Sequence, residues 1–290
     1  MPSLKEVKTR IASVNSTRKI TSAMKMVASS KLHKAQQAVE HMLPYQEQLS
    51  EILSCFVKGM DQELMPSYVQ ARKVERVALI IYTSNSSLCG GYNANVIKKA
   101  KQVIDGYLSN GVKEVGVCAI GRKAAEAMKK MGYSAEDDHA ALLDKPTYAE
   151  AADIARYYME QYVAGRVDRV DLIYHHFQST STQLLRHEQF LPVNLTAASD
   201  TDRLDSSTDY IVEPSVRELV EQLIPKTLHL QVYAALLDSL TSEHAARVIA
   251  MQVATDNADE LLQDLTLMYN KSRQQAITTE LLDIVGGSMQ

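Results

Sequence analysis

A polar, glycine-containing loop (Thr83 to Asn93, TSNSSLCGGYN) follows the strand pattern VALIIY, where an α/β protein would bind a phosphate or hold a nucleophile. The loop lacks the GxxxxGK[ST] pattern, so no lysine is placed to reach a phosphate. Cys89 needs an adjacent base to act as a nucleophile, and His175 and His176 end a neighbouring strand pattern. A structural cysteine in a tight turn is the simpler interpretation. We therefore expect no catalytic residue and no bound cofactor.

Three histidines are the candidate metal ligands. His175 and His176 are adjacent in the strand pattern VDLIYHHF, and neighbouring residues on a strand point to opposite faces, so the pair cannot simply chelate one ion. His187 lies in a later strand pattern. The three cysteines show no paired spacing, which argues against a zinc ribbon or disulfide framework and favours a reducing cytoplasm. We predict core and surface roles for the histidines and no metal site.

Two conspicuous polar clusters lie in segments with helical periodicity. One runs from Asn15 to Lys19 and continues with Met24 and Lys25. The other comprises residues 242–247 and 269–280. Such clusters are either the solvated faces of an exposed coiled coil or surfaces that contact a partner, and residue types alone leave both open.

Long helices must carry these clusters, because both ends of the chain are almost free of glycine. The 11 glycines all lie between Gly59 and Gly165, apart from Gly286 and Gly287. A glycine in a helix interior costs roughly 1 kcal/mol relative to alanine, so its absence favours long terminal helices. Apolar residues recur at coiled-coil spacing over 4–42 and again over 216–276.

The seam of the first helix is interrupted by polar residues. Three of them occupy consecutive seam positions: Arg18, Thr21 and Lys25. A second apolar line runs beside them: Ile20, Met24 and Val27. This pattern predicts that the helix contact moves to the second line and locally changes the supercoil. Pro44 predicts a bend or a helix restart, and Pro225 is the most favourable position for a kink in the last helix.

Charge favours pairing of the two terminal helices. Residues 1–42 carry eight lysines and arginines against two glutamates, whereas residues 200–290 carry six against fifteen acidic residues. Opposite charges steer the helices into register, although each exposed ion pair is weak. We expect an antiparallel coiled coil within one chain.

The middle of the chain alternates between strand and helix patterns. Strands are expected at 77–82, 115–120, 170–177 and 183–193, and helices at about 94–108, 122–131 and 148–163. Alternation of this kind indicates an α/β layer with a mostly parallel sheet. The polar stretches 59–66 and 196–209 read as an exit loop and a linker. We predict an N-terminal coiled-coil helix (1–65), a central Rossmann-like α/β domain (66–200) and a C-terminal coiled-coil helix (201–290).

Composition argues against two classes of partner. The basic N-terminal segment lacks the aromatics, extra arginines and motif typical of a nucleic-acid arm, so we expect no nucleic-acid binding. The N-terminus has no apolar signal-peptide region, and no uncharged run reaches about 18 residues. We expect any membrane link to be peripheral.

Three stretches give the chain a resemblance to the γ subunit of rotary (F-type) ATP synthases over essentially its whole length. They are RIASVNSTRKITSAMKMVASSKLHKA (Arg10 to Ala35), TSNSSLCGGYNANV (Thr83 to Val96) and SEHAARVIAMQVATDNADELL through YNKSRQQAITTELLDIVGG (Ser242 to Gly287). The family usually has Asp-Arg-Gly before Leu-Cys-Gly-Gly, whereas Asn85, Ser86 and Ser87 stand here. The chloroplast-type redox insert is absent, so the resemblance implies no thiol control.

The resemblance implies a non-catalytic rotor shaft. The paired helices would turn inside a ring of alternating α and β subunits, while the α/β domain, with the ε subunit, would rest on the ring of c subunits. The complex would be a proton-transporting ATP synthase on the cytoplasmic face of the bacterial inner membrane.

Family coupling contacts carry over to particular residues of the two terminal helices. Met24 corresponds to the contact beside the β-subunit lever arm, and its neighbour Lys25 shares that segment. The other implied coupling residues lie in the C-terminal helix: Arg247, Arg273, Gln274, Thr278 and Glu280. The apolar end LLDIVGG would turn as a tip in an apolar sleeve of the ring.

Two other classes of protein share parts of this pattern. A stand-alone coiled-coil scaffold would show the same seams but form a stable homodimer. A small α/β enzyme that uses Cys89 would show turnover and cysteine labelling.

Overall fold

The computed structural model describes residues 3–57, 68–70, 72–133, 139–193, 212–213 and 215–288. Its helices are α1 (Leu4–Val57), α2 (Tyr92–Ser109), α3 (Arg122–Lys130), α4 (Ala140–Asp144), α5 (Tyr148–Val163) and α6 (Val216–Ser288). Its strands are β1 (Arg76–Tyr82), β2 (Glu114–Ile120), β3 (Arg169–Phe177) and β4 (Gln183–Leu191).

Three helices begin with the same short sequence pattern, Ser/Thr-x-x-Glu. In each, the hydroxyl of the first residue accepts a hydrogen bond from the backbone N–H of the glutamate, which satisfies a helix-terminal donor. The pairs are Ser3 with Glu6 in α1, Thr147 with Glu150 in α5, and Ser215 with Glu218 in α6. Local sequence therefore defines where both long helices start.

The four strands form one sheet in the order β2-β1-β3-β4. β1 pairs in parallel with β2 and β3, and β4 pairs antiparallel with β3. The expected mostly parallel α/β layer is confirmed. The four strands and helices α2, α3 and α5 begin and end within two residues of the predicted elements, with α2 starting at Tyr92 and β4 ending at Leu191, whereas the short helix α4 was not predicted.

Both faces of the sheet are covered. On one face, residues of α2 and α3 such as Ile104 and Met128 pack on Leu79 and Ile81 of β1. The alternate side chains of β1, including Ile80, pack with residues of α5 and α6 on the other face. Strands buried on both sides explain why β1 reads as a continuous apolar run.

Helix α6 buries a second face against α1. Leu230 and Leu237 cluster with Met42 and Leu49 of α1, whereas Val232 and Leu236 belong to the core beneath the sheet. Between residues 235 and 245, only Asp238 and His244 are more than marginally accessible. Because it is buried on nearly every side, this stretch shows no single apolar stripe.

The chain divides into two compact units. The coiled-coil unit comprises Met1–Ser30 and Arg247–Gln290, and the α/β unit comprises Lys31–Ala246. Helices α1 and α6 run antiparallel in both, as expected. In the coiled-coil unit Arg18 contacts Asp259 and Thr21 contacts Thr255, and in the α/β unit Met42 and Leu49 pack with Leu230 and Leu237.

The expected shift of the seam is wrong. Thr21 is buried, whereas Ile20 and Val27 are each 59% exposed, so the contact stays on the original line. The three polar seam residues face polar partners on α6: Arg18 faces Asp259, Thr21 faces Thr255, and Lys25 faces Gln252. Hydrogen bonding across the seam allows polar side chains where apolar packing was expected.

Of the bend or helix restart predicted at Pro44, the restart is wrong, because α1 continues through this residue to Val57, and the bend stays a prediction. Pro225 likewise lies inside α6. The expected loops 59–66 and 196–209 fall outside the described residues, and so do the boundaries after residues 65 and 200. The three-part division of the chain stays a prediction.

A paired-cysteine variant should lock the coiled-coil unit within a single chain. The Thr21 and Thr255 Oγ1 atoms lie 2.8 Å apart, so Thr21→Cys with Thr255→Cys should form a disulfide on mild oxidation. Mass spectrometry of the non-reduced digest reports the link. Ser22→Cys with Thr255→Cys is the control, because Ser22 is exposed and points about 100° away from Thr21. Links formed exclusively between two chains would contradict the hairpin.

Candidate functional site

The seven predicted coupling residues all belong to the coiled-coil unit, in two groups along its helices. One group lies on α1 and where α6 enters this unit: Met24, Lys25 and Arg247. The other lies near the end of α6: Arg273, Gln274, Thr278 and Glu280. At 1.5 Å per residue, Gln274 is about 40 Å along the helix from Arg247. The structure therefore presents two separate candidate contact regions.

The first group lies along the polar part of the seam, where Arg18, Thr21 and Lys25 face α6. Lys25 Nζ hydrogen-bonds to Gln252 Oε1, so this ammonium is engaged across the hairpin. Met24 and Arg247 are both half-buried. A half-buried Met has an anchored stem and a mobile thioether, which suits contact with a moving apolar surface. Sequence reasoning identified Lys25 but missed its partner, because the pairing depends on the register of two helices distant in the chain.

The second group is exposed. Thr278 Oγ1 donates to the carbonyl of Gln274 at 2.9 Å, so this hydroxyl is satisfied within its own helix. Within the described residues, the side chains of Arg273, Gln274 and Glu280 make no hydrogen bond or ion pair, and all are exposed. They offer a cation, an amide and a carboxylate within two turns of helix, free to bind an external surface.

Large apolar side chains are also exposed along the coiled-coil unit. Thirteen described residues share this property: Ile20, Met26, Val27, Ile249, Val253, Leu261, Leu267, Met268, Ile277, Leu281, Leu282, Ile284 and Val285. Several are more than half exposed, including Met26 at 73% and Leu267 at 69%. Apolar side chains in such number on a single coil indicate a protein-interaction surface. Sequence reasoning anticipated the four in the apolar end LLDIVGG, but it assigned Ile20 and Val27 to the helix pairing.

The loop after β1 has a structural role. Cys89 is 1% exposed, and its sulfur lies 3.2 Å from Asn93 Nδ2 and 3.7 Å from Ser84 Oγ. Asn93 Oδ1 also accepts from the backbone N–H of Ser84 at 3.0 Å. These bonds close the loop on itself, so the simpler interpretation of Cys89 is confirmed.

The histidines divide into core and surface, as predicted. His175 is 4% exposed and stacks on Tyr92 at 4.6 Å between ring centroids, and burial lowers its pKa to about 4. His176 Nδ1 lies 2.6 Å from Asp238 Oδ2. His187 Nε2 lies 2.7 Å from Asp171 Oδ2, and the two residues lie on the paired strands β4 and β3. Across the described ranges, no three His, Cys, Asp or Glu side chains are grouped as metal ligands.

A cleft of about 940 Å³ lies between the edge strand β2 and helix α5. Its lining mixes cationic Arg76 and Arg166 with anionic Glu150 and Asp153. Arg76 is already paired with Asp168 at 3.2 Å. This mixture of charges shows no convergent set of groups for one ligand.

The chain is similar to known proteins over essentially its whole length. The family model described as ATP synthase matches residues 3–289. ATP synthase gamma chains from Phocaeicola vulgatus and Bacteroides thetaiotaomicron are 54% and 53% identical, and each alignment covers 100% of both chains. No helix of the described part has both the length and the apolar composition to cross a membrane.

Solved structures share the fold. A chain of the Euglena gracilis mitochondrial ATP synthase rotor superposes with a TM-score of 0.59 at 19% identity, covering 94% of this chain and 98% of that chain. A chain of the OSCP/F1/c-ring structure of the same enzyme gives a TM-score of 0.62 at 21% identity, covering 99% and 93%. The full-length matches to the family model and to close sequence relatives show that this chain belongs to the ATP synthase gamma chain family.

Proposed function

We propose that this chain is the central rotor shaft of a bacterial ATP synthase. It couples ion flow through the membrane sector to conformational change at the catalytic sites of the β subunits. The observation that carries this proposal is the coiled-coil unit, whose described residues expose thirteen large apolar side chains and, at Arg273, Gln274 and Glu280, polar side chains with no partner among the described residues. Family membership supports the same role.

The mechanism rests on differential contact. A single coil has different side chains on its different faces, so it cannot contact three β subunits alike. Each β subunit then adopts the conformation that binds best to the face presented to it, and rotation changes that face. The chain contributes binding free energy that differs between β-subunit states and no hydrolytic residue.

The coupling residues divide this task according to their side-chain chemistry. Arg247, Arg273 and Gln274 offer forked N–H donors to carboxylates of the β subunits, and Glu280 offers an acceptor. Thr278, which bonds within its own helix, contributes its methyl group to the contact.

Met24 packs against the moving lever arm of a β subunit, and Lys25 holds this part of α1 to Gln252.

The partners follow from the same assignment. The coiled-coil unit binds the α and β subunits of the catalytic ring. The α/β unit binds the ε subunit and the c-subunit ring. The chain lies at the cytoplasmic face of the bacterial inner membrane, where it is peripheral and attached through the complex.

Co-expression tests this assignment. The purified chain is expected to self-associate, because its exposed apolar residues need partner surface, and co-expression with the α and β subunits should give a stable complex. Size-exclusion chromatography and thermal melting report both outcomes. A monodisperse chain whose melting is unchanged by the α and β subunits would contradict the rotor assignment and favour a stand-alone scaffold.

A further inference from the structure

Helix α6 is tied to the sheet by polar contacts spread over about three turns. Tyr82 Oη donates to the carbonyl of Val232 at 3.1 Å, and Ser242 Oγ donates to the carbonyl of His175 at 3.2 Å. Between them, Asp238 accepts from the backbone N–H of Phe177 at 3.3 Å and also faces His176. All these residues belong to the α/β unit.

Tyr92 makes the central contact of this group. Its hydroxyl lies 3.0 Å from the carbonyl of Ser239 and 2.5 Å from the Ser239 hydroxyl. The Tyr92 ring is 4% exposed and stacks on His175, so it has little freedom to move. Ser239 is 1% exposed, and water therefore does not compete for this bond.

The loop after β1 sets the position of Tyr92. Ser84 and Asn93 hydrogen-bond across its base, with the Ser84 N–H to Asn93 Oδ1 distance at 3.0 Å. Leu88 and Gly90 have positive φ angles of 67° and 59°, which turn the chain sharply before α2 starts at Tyr92. The Leu-Cys-Gly-Gly segment, for which no chemistry was found, thus aims a tyrosine at helix α6.

The direction of these hydrogen bonds bears on whether helix α6 can turn about its own axis. At 100° per residue, the tied positions Val232, Asp238, Ser239 and Ser242 fall on one face of α6, and Leu230 and Leu237, which pack on α1, fall on the opposite side. The hydrophobic effect that buries Leu230 and Leu237 is non-directional, although their close packing also restrains the helix. Hydrogen bonds to fixed groups are directional, so they set the rotational position of the helix.

We propose that Tyr92, positioned by the Thr83 to Asn93 loop, forms with Asp238 and Ser239 a clamp that fixes the rotational setting of helix α6 on the sheet. This inference rests on the proposed rotor function. Torque on α6 then passes into the α/β unit without slip of the helix against the sheet. Without the clamp, opening of residues 235–245 from the sheet dissipates part of that torque under load.

The test removes both hydroxyls, with Tyr92→Phe and Ser239→Ala in the chain assembled in its whole complex. Tyr107→Phe is the matched control, because it removes a tyrosine hydroxyl bonded to Asp171 on the other side of the sheet. Tyr92→Phe alone keeps the ring and its stack on His175, and should give an intermediate effect that does not depend on the double variant folding.

Two measurements decide the matter. Amide hydrogen exchange over 235–245 should be about tenfold faster in the double variant, as expected for the loss of buried hydrogen bonds, and unchanged in the control. Proton pumping against a high gradient should be lost while ATP hydrolysis by detached, unloaded complexes stays at the wild-type rate. Wild-type exchange and pumping, or equal losses of loaded and unloaded activity, would overturn the clamp. Failure of the wild-type chain to associate with α and β subunits would instead refute the rotor proposal.

Discussion

Replacing Arg247 or Gln274 with alanine is expected to slow steady-state ATP hydrolysis by the complex about tenfold, because each change removes a side chain that we propose as a hydrogen-bond donor to a β subunit. A charge-assisted hydrogen bond contributes roughly 1.5–3 kcal/mol, and only the part that differs between β-subunit states affects the rate. Gln274 is exposed, so its truncation leaves no cavity within the chain. Steady-state hydrolysis by purified complexes of each variant provides the measurement.

The control for this prediction is nucleotide binding at a single catalytic site. Neither substitution removes a group that contacts nucleotide, so binding at substoichiometric ATP should be largely kept. A loss of binding equal to the loss of rate would mean that the variants damage assembly. That result would contradict a role in coupling.

Met24→Lys should act differently, by placing a cation against the β-subunit lever arm that we propose Met24 contacts. Met24 is half-buried on α1, next to Lys25, so the new ammonium adds to a positive charge already present. Desolvation of this cation when the coil turns raises the barrier to rotation, and proton pumping should fall more than hydrolysis. ATP-driven acidification of inverted membrane vesicles measures pumping.

Met24→Leu is the matched variant, because it conserves volume and apolar character. It should pump at close to the wild-type rate. Equal defects in the leucine and lysine variants would show that the thioether itself matters, and would contradict the account based on charge.

Much of the fold can be predicted from the sequence because local patterns determine it. The apolar run of β1 is buried on both faces, and the near-absence of glycine from both ends is matched by two long helices. The prediction around Thr21 failed for a physical reason. Periodicity shows only which side chains are apolar. Thr21 lies in the seam because its hydroxyl hydrogen-bonds to the hydroxyl of Thr255 on the facing helix.

The candidate site was harder to predict from the sequence. Helix α6 packs on α1 with one face and on the sheet with another, so Leu237 and Leu236 serve different interfaces although they are adjacent. The contact between Tyr92, at the end of this loop, and Ser239, 147 residues later in the chain, could not be predicted from either segment alone. The residues near Gln274 are exposed, and only the family resemblance pointed to them as coupling contacts.

The most direct test of torque transmission is the ratio of proton pumping to ATP hydrolysis in membranes that carry Arg247→Ala, Gln274→Ala or Met24→Lys. Lys129→Ala, on the exposed surface of α3, serves as the control. The rotor account predicts slowed hydrolysis with impaired pumping for the first two variants, the lowest ratio for Met24→Lys, and wild-type values for the control. Wild-type ratios and rates for all three coil variants would contradict it and leave these residues as ordinary solvated positions of a coiled coil.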